Sequence, residues 1–237
     1  LANNMRLEQY LAHCGVCSRR QAQRLIAAGR VCFNGQIASA LDRVSPNVVN
    51  PNILLDGETI APLESKQYWL YHKPVGIDCR LLPELASSLI HHLPASPRLY
   101  PAGRLDKDSR GLLLLTNDGA LTHRLMHPDF GHEKVYQVTV NKPLKNDFAA
   151  LMSAGVSYRD VTTKPCKVSV IGECQFEITL TQGLNRQIRR MSQALGYHVV
   201  DLLRVSMMNC QLAQLPETKM RPLEAAELVT LQQLLKL

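Results

Sequence analysis

Gly103-Arg104-Leu105-Asp106-Lys107-Asp108-Ser109-Arg110-Gly111 places two carboxylates and three cations in one short stretch. The apolar run Leu112 to Leu115 follows it, and then Asn117-Asp118-Gly119. The leucines read as a buried strand and the last three residues as a turn. Charges beside a core are costly unless they are paired. The stretch is therefore either an ion-pair network or a functional site. Asp106 and Asp108 have the residue types of a magnesium site. Arg104, Lys107 and Arg110 would repel a cation, so no metal is expected, and Asp108 reads better as a turn or cap residue.

Downstream of this loop, Asp118 starts a helix over Leu121 to Met126, which Pro128 stops. Val135 to Val140 alternates as a strand, and on it Lys134, Tyr136 and Val138 share one face. Tyr136 is either a core tyrosine with a bonded hydroxyl or a platform for an unstacked base. Phe148 to Ala154 is helical, and Cys166 to Val170 and Phe176 to Thr181 are strands. Asn185 to Leu195 is a helix, and a terminal helix covers Leu223 to Leu235. In the first of these two helices, Arg186, Arg189 and Arg190 sit at i, i+3 and i+4, on one face. Cations so spaced repel unless an anion or a carboxylate faces them; the alternative is a solvated basic face.

Upstream, Tyr68 to Tyr71 is a strand that runs into the turn Lys73-Pro74-Val75-Gly76, and Leu85 to Leu93 is a short helix. Residues 61–66 read as a linker. Before it, Leu7, Tyr10, Leu11 and Cys14 recur at helical spacing until Gly15. Ser18 with Gln21 forms a capping box for a second helix that Gly29 ends. Asn34-Gly35 joins two strands in a type I′ hairpin, and Asp56-Gly57 marks another strand pair. Arg6, Arg19, Arg20, Arg24 and Arg30 lie on or beside the two helices. Cys14-Gly15-Val16-Cys17 has no second pair at zinc spacing, so it reads as structural.

The composition bounds the function. The chain has 237 residues, 46% of them hydrophobic, and a formal net charge of +7. A surplus of this sign favours polyanions, among which nucleic acid is foremost. The seven cysteines are scattered and odd in number, which argues against a disulfide framework. The sequence holds no phosphate-cradling or dinucleotide motif, and no apolar run long enough for a membrane. The expectation is an α+β protein of the cytoplasm, monomeric, with no membrane association.

In their order, Lys73-Pro74-x-Gly76, Gly103-Arg104-Leu105-Asp106, Lys134-x-Tyr136 and Asn185-Arg186-Gln187-Ile188-Arg189-Arg190-Met191 resemble the bacterial ribosomal-RNA pseudouridine synthases of the RsuA class. The front of the chain is similar to an S4 RNA-binding domain at Arg6-Leu7, Leu11, Gly15, Ser18-Arg19-Arg20, Ala22, Leu25-Ile26, Gly29, Val31 and Asn34-Gly35. The stretches 138–143, 152–156, 178–191 and 208–209 are most similar to the RluF type of that class. The resemblance implies an S4-like domain over residues 1–63 and a mixed-sheet synthase domain with a central catalytic cleft over 64–237. It also implies a uridine-to-pseudouridine isomerase acting on large-subunit (23S) ribosomal RNA. A transfer RNA as substrate, or a non-catalytic RNA-binding or ribosome-assembly protein on the same fold, are the alternatives.

By the same resemblance Asp106 is the catalytic carboxylate and Arg189 the arginine that pairs with it. Tyr136 stacks on the target base, and Arg104 helps hold the nucleotide out of its helix. Leu105, Lys107, Arg186, Gln187, Ile188 and Arg190 are RNA contacts near the site. Lys73 and the front-unit cations Arg6, Arg19, Arg20 and Arg24 are expected on phosphates. No cofactor is implied. Two stretches depart from the family pattern, Ile77-Asp78-Cys79-Arg80 and Lys219-Met220-Arg221-Pro222, and both bear on which RNA fits.

Overall fold

The structure, a computed structural model, describes residues 4–45, 47–48, 51–127 and 130–237. It divides into two compact units: residues up to Gln67 with Pro94–Leu99, and Tyr68–Leu93 with Tyr100–Leu237.

In the first unit two helices, Leu7–His13 and Arg19–Ala27, pack on a four-stranded sheet. Ser18 caps the second helix by accepting the Gln21 amide at 3.2 Å. The return bond that would complete a capping box does not form. Val31–Phe33 and Gln36–Ile37 are joined across Asn34 and Gly35, whose φ angles are +51° and +82°. Both residues lie in the left-handed region that a type I′ turn demands. Ile53–Leu55 and Glu58–Thr59 repeat the device across Asp56-Gly57. Leu7, Leu11, Ala22, Ile26, Val31 and Ile53 close the core. Residues 61–66, expected as a linker, are tied into this unit instead. The Glu64 amide bonds His13 O at 3.2 Å, and its carboxylate accepts the Arg98 amide at 3.2 and 3.3 Å.

The second unit is built on a nine-stranded mixed sheet. Its main order is Lys167–Gly172, Gln175–Leu180, Lys134–Val140, Val199–Met207, Arg110–Thr116, Tyr68–Lys73 and Met220–Pro222. Tyr100–Pro101 pairs with Arg110–Thr116, and Cys210–Gln211 with Val199–Met207. Neighbours are antiparallel except at one seam, where Val199–Met207 runs parallel to Arg110–Thr116. One core covers the sheet through helices Phe148–Ser153 and Gln187–Ala194, with Phe148 against Phe176 at 4.8 Å between ring centroids. A second core packs helices Gly119–Met126 and Ala225–Leu235 on Leu70, Leu112 and Leu114. Burying each such leucine or phenylalanine contributes about 1.5–3 kcal/mol.

The long central strand Val199–Met207 was not foreseen, and neither was the edge strand Met220–Pro222. The helix expected at Leu85 to Leu93 shrinks to one 3-10 turn, Leu89–His92. The Ser88 hydroxyl accepts the amides of Leu82 and Ile90 and donates to Arg80 O, fixing a loop where a helix would need those backbone groups free. Asp118 caps its helix as expected, accepting the amides of Ala120 and Leu121; Pro128, the expected stop, lies outside the described residues. No helix among the described residues is long and apolar enough to cross a membrane.

Candidate active site

The charged loop lies where the two halves of the sheet meet, and its backbone and the side chains of Asp108 and Arg110 are held in place. Gly111, second in the leucine strand, has φ +117°. A Cβ there would stand 2.4 Å from the Arg204 carbonyl oxygen and 2.6 Å from its nitrogen, so only glycine admits the parallel strand this closely. Just before it, the Ser109 amide bonds Asp106 O at 3.0 Å, and the Gly76 amide bonds Lys107 O at 2.7 Å. The Cys79 thiol donates to Leu105 O at 3.3 Å, and the Leu105 amide returns to Cys79 Sγ at 3.4 Å. Burial pushes the Cys79 thiol up from its ordinary pKa, so it stays a neutral staple.

Lys73 departs from the expectation of a phosphate contact. It is 0% exposed, and its Nζ donates to Ser109 O at 2.7 Å and Pro74 O at 2.9 Å. Burial pulls its pKa down, while Cys79, Asp108, Asp106 and Asp78 draw it back up. It ties the loop's backbone from within and has no face toward RNA.

Asp108 is not a simple turn residue. Arg186 grips its carboxylate with both nitrogens, at 3.0 and 2.7 Å. Arg189 donates to Asp108 O at 2.7 Å, and its Nε stands 3.4 Å from the same carboxylate. The Arg186 hydrogen bonds, with the charges of both arginines, hold the Asp108 carboxyl below the usual range. This corrects the pairing of Arg189 with Asp106: the carboxylate that the arginines face is the one two residues on. Arg186 itself stands at the helix N-cap with φ +51°, ahead of Gln187–Ala194. Arg110 completes the bracing with two 2.8 Å bonds to Asp201 and one of 3.2 Å to Glu217.

Asp106 is left out of this bracing. Its side chain makes no hydrogen bond or ion pair among the described residues, and it is partly buried in the wall of a cavity of about 690 Å³. The same cavity is lined by Arg104, Leu105, Lys107, Lys134, Tyr136, Arg186 and Arg204. Arg104 and Lys107 are exposed at it, without ion-pair partners. Tyr136 is half-buried, and its hydroxyl is unbonded among the described residues. Asp78 and Arg80, in a stretch that departs from the family pattern, also line the cavity and clasp each other; the Arg80 bonds lower the Asp78 carboxyl to about 2.

Gln187 and Ile188, expected as RNA contacts, line the same cavity with little exposed surface. Gln187 is buried, and its amide caps its own loop: Oε1 accepts the Leu184 amide at 3.2 Å, and Nε2 donates to Gln182 at 3.4 Å. Ile188 is 4% exposed and packs in the core with Met191 and Phe176. Neither offers RNA a free polar group. Arg190 bonds Asn185 at 2.8 Å and lines a second cleft of about 400 Å³ with Arg159, Arg186, Arg189 and His198. In the first unit Arg19, Arg20 and Arg24 are exposed and unpaired among the described residues, while Arg6 lies 3.8 Å from Glu8. Sequence reasoning missed Arg204 altogether, and it marked Cys79 only as part of a stretch that departs from the family pattern. Among the described residues no group of three side chains could hold a metal ion.

A family model described as RNA pseudouridylate synthase matches residues 67–194, and one described as S4 domain matches residues 5–50. The chain is 41% identical over 236 residues to the dual-specificity RNA pseudouridine synthase RluF of Escherichia coli K12, covering 99% of this chain and 80% of that protein. It is 32% identical to the ribosomal large subunit pseudouridine synthase B of Bacillus subtilis, over 84% of each chain. It is 33% identical to the ribosomal small subunit pseudouridine synthase A of E. coli K12, over 95% of this chain and 99% of that one. A crystal structure described as a pseudouridylate synthase matches with a TM-score of 0.69 at 31% identity, covering 96% of this chain and 99% of that one.

Proposed function

The chain belongs to the RNA pseudouridylate synthase family and carries an S4 domain, and from that premise we propose that it isomerises a uridine of large-subunit (23S) ribosomal RNA with Asp106 as the catalytic carboxylate. The observation that supports the role is the contrast within one loop: Asp108 is saturated by arginines, while Asp106 stands unbound in a cavity that Tyr136 shares. A carboxylate kept free of partners at a cavity wall is available to a substrate.

The reaction breaks the C1′–N1 bond, turns the uracil, and joins C5 to C1′. Asp106 either bonds C1′ as the base departs or takes a proton from the sugar. At the end the proton leaves C5 and one is gained at N1, so product and substrate are isomers. No electrons or groups are exchanged with a second molecule, and no cofactor is called for. The uridine must first leave its stack, at a cost of a few kcal/mol. Stacking on Tyr136 offsets about 1–3 kcal/mol of that. Arg104 and Lys107, exposed beside Asp106, hold the flanking phosphates. Arg6, Arg19, Arg20 and Arg24 of the S4 domain, which we take as residues 1–63, supply contacts farther along the RNA.

Transfer RNA is the second substrate to examine, because relatives 40–41% identical are described as dual-specificity enzymes. The deciding experiment maps pseudouridine in ribosomal and transfer RNA from a strain lacking this gene, complemented with wild type or Asp106→Asn. One large-subunit position lost, restored by wild type and not by the variant, is the expected result. Loss only in transfer RNA would replace the substrate, and restoration by Asp106→Asn would remove Asp106 from the chemistry.

A further inference from the structure

Arg204 is a buried cation with no ion-pair partner among the described residues. It lies on the central strand Val199–Met207 and is 2% exposed. Its Nε donates to Leu112 O at 2.7 Å, and its Nη2 is buried without a partner among the described residues. Three other arginines of the loop and its surroundings have a carboxylate: Arg186 and Arg189 have Asp108, and Arg110 has Asp201. Arg104 has no ion-pair partner among the described residues but is exposed to water; Arg204 is buried and has none among the described residues. Lys134, another cation, lies within electrostatic reach of it and among the described residues donates only to His132 O, at 3.1 Å. Burial first, and the charge of Arg204 second, push the Lys134 pKa down. Two desolvated positive groups side by side are unfavourable unless a negative charge comes to meet them.

Register says where that charge arrives. Arg204 is the cross-strand partner of Tyr136 on one side and of Gly111 on the other. Side chains directly opposite across an antiparallel pair stand on the same face, about 5 Å apart at Cβ. Both Arg204 and Tyr136 line the cavity that holds Asp106. A ring stacked on Tyr136 therefore has an edge beside Arg204.

We propose that Arg204 is a catalytic residue: it contacts the uracil ring and stabilises the negative charge that the ring bears once its bond to the sugar is broken. The proposal rests on the pseudouridine synthase reading and adds a component to it. When C1′–N1 breaks, its electron pair leaves with the base. C1′ is then either bonded to an Asp106 oxygen or left in a sugar that has given up a proton. By either route the detached uracil is an anion, with its charge spread over N1, O2 and O4. Rejoining through C5 returns that pair to a C5–C1′ bond, as the bond from C1′ to Asp106 breaks on the first route or the sugar takes its proton back from Asp106 on the second. A fixed donor in a water-poor site stabilises such a charge strongly, because it needs no reorganisation as the charge develops. Lys134 adds a second positive charge to the same wall.

The test compares two substrates in one enzyme preparation. RNA fragments spanning the mapped uridine carry either uridine or 5-fluorouridine at that position. Single-turnover loss of the N-linked nucleoside is followed after digestion. Fluorine withdraws electrons and stabilises the detached base by itself. It blocks only the final loss from C5, not the bond exchange being read. Arg204→Gln is expected to lose about 100-fold or more on uridine, and at least several-fold less on 5-fluorouridine. Equal losses on both substrates, or wild-type rates on uridine, would overturn the proposal. The ratio is taken within one sample, so a partly unfolded variant lowers both rates alike and leaves it unchanged. If Arg204→Gln is too unstable to assay, Arg204→Lys, with a shorter and displaced charge, must show the same bias. Failure of wild type on the uridine RNA would instead count against the functional reading itself.

Discussion

Two groups of positive charge flank the loop at residues 103–111, and they are built on opposite terms. Arg186 and Arg189 close on Asp108 with bonds of 2.7–3.0 Å. Lys134 and Arg204, lining the same cavity as Asp106, form no ion pair among the described residues. The carboxylates divide in the same way: Asp108 is saturated and Asp106 is free. A charge whose partners are all in the protein fixes shape, since moving it would leave those partners unpaired. A charge desolvated without a partner adds nothing to shape and is stabilised only when substrate supplies the opposite sign. The difference separates scaffold from chemistry within a few residues.

The sharpest way to break this division is Asp106→Asn. If Asp106 serves substrate alone, turnover falls at least about 10³-fold, while stability and RNA affinity stay within about 0.5 kcal/mol of wild type. Single-turnover kinetics read the first, and denaturant melts and filter binding the other two. A melting transition shifted by more than that would place Asp106 in the scaffold, and the contrast with Asp108 would collapse.

Asp108→Asn probes the other side. Here the loop loses its clamp, Asp106 shifts with it, and turnover falls about 10–100-fold, in the range that misplacement of about 1 Å produces. Arg189→Ala removes part of the same interaction, so the double variant is expected to lose less than the product of the single losses. Multiplying losses would show that Arg189 acts independently of Asp108. Stability changes too, but by no more than about 1 kcal/mol, because both partners of the Arg186 pair are about half exposed. Its pH dependence has a definite sign. The folded Asp108 pKa lies below that of a free aspartate, near 3.9. The stabilisation is therefore fully present above that value and is lost as pH falls through the folded pKa. The gap in melting temperature between wild type and Asp108→Asn should stay constant from pH 5 to 8 and narrow below about pH 4. A gap that widens in acid would contradict the pairing.

What was legible in the sequence follows the same split. Local devices read correctly: the turns at Asn34-Gly35 and Asp56-Gly57, the caps at Ser18 and Asp118, and the all-leucine strand before Thr116. Each is decided by a few adjacent residues. The charged loop could be recognised as exceptional, but which of its carboxylates was occupied could not, because Arg186 lies 78 residues from Asp108. Lys73 was misjudged because a lysine normally seeks water, and only the fold brings Ser109 O to its ammonium. The central strand Val199–Met207 escaped because its buried positions include Arg204 and Ser206, breaking the apolar alternation that marks a strand. Of the two residues that hid the strand, Arg204 lines the cavity. A functional wall departs from the pattern of a packed one.

The smallest expected effect carries the comparison into the S4 domain, where paired and unpaired cations again stand side by side. Arg30 holds Asp56 through two hydrogen bonds, whereas Arg20 is exposed without an ion-pair partner among the described residues. If unpaired cations meet RNA, Arg20→Ala removes one phosphate contact and flattens the dependence of log affinity on log salt by about 0.7–0.9. Arg30→Ala leaves that slope unchanged, because its charge is already neutralised by Asp56. Turnover at saturating RNA stays at the wild-type rate in both variants, since neither belongs to the unit that holds Asp106. Affinity titrations between 50 and about 200 mM salt distinguish the two. Equal slope changes would mean that the Arg30–Asp56 pair opens to RNA, and that carboxylate pairing separates scaffold from contact only where the charge is buried, as it is at Arg204.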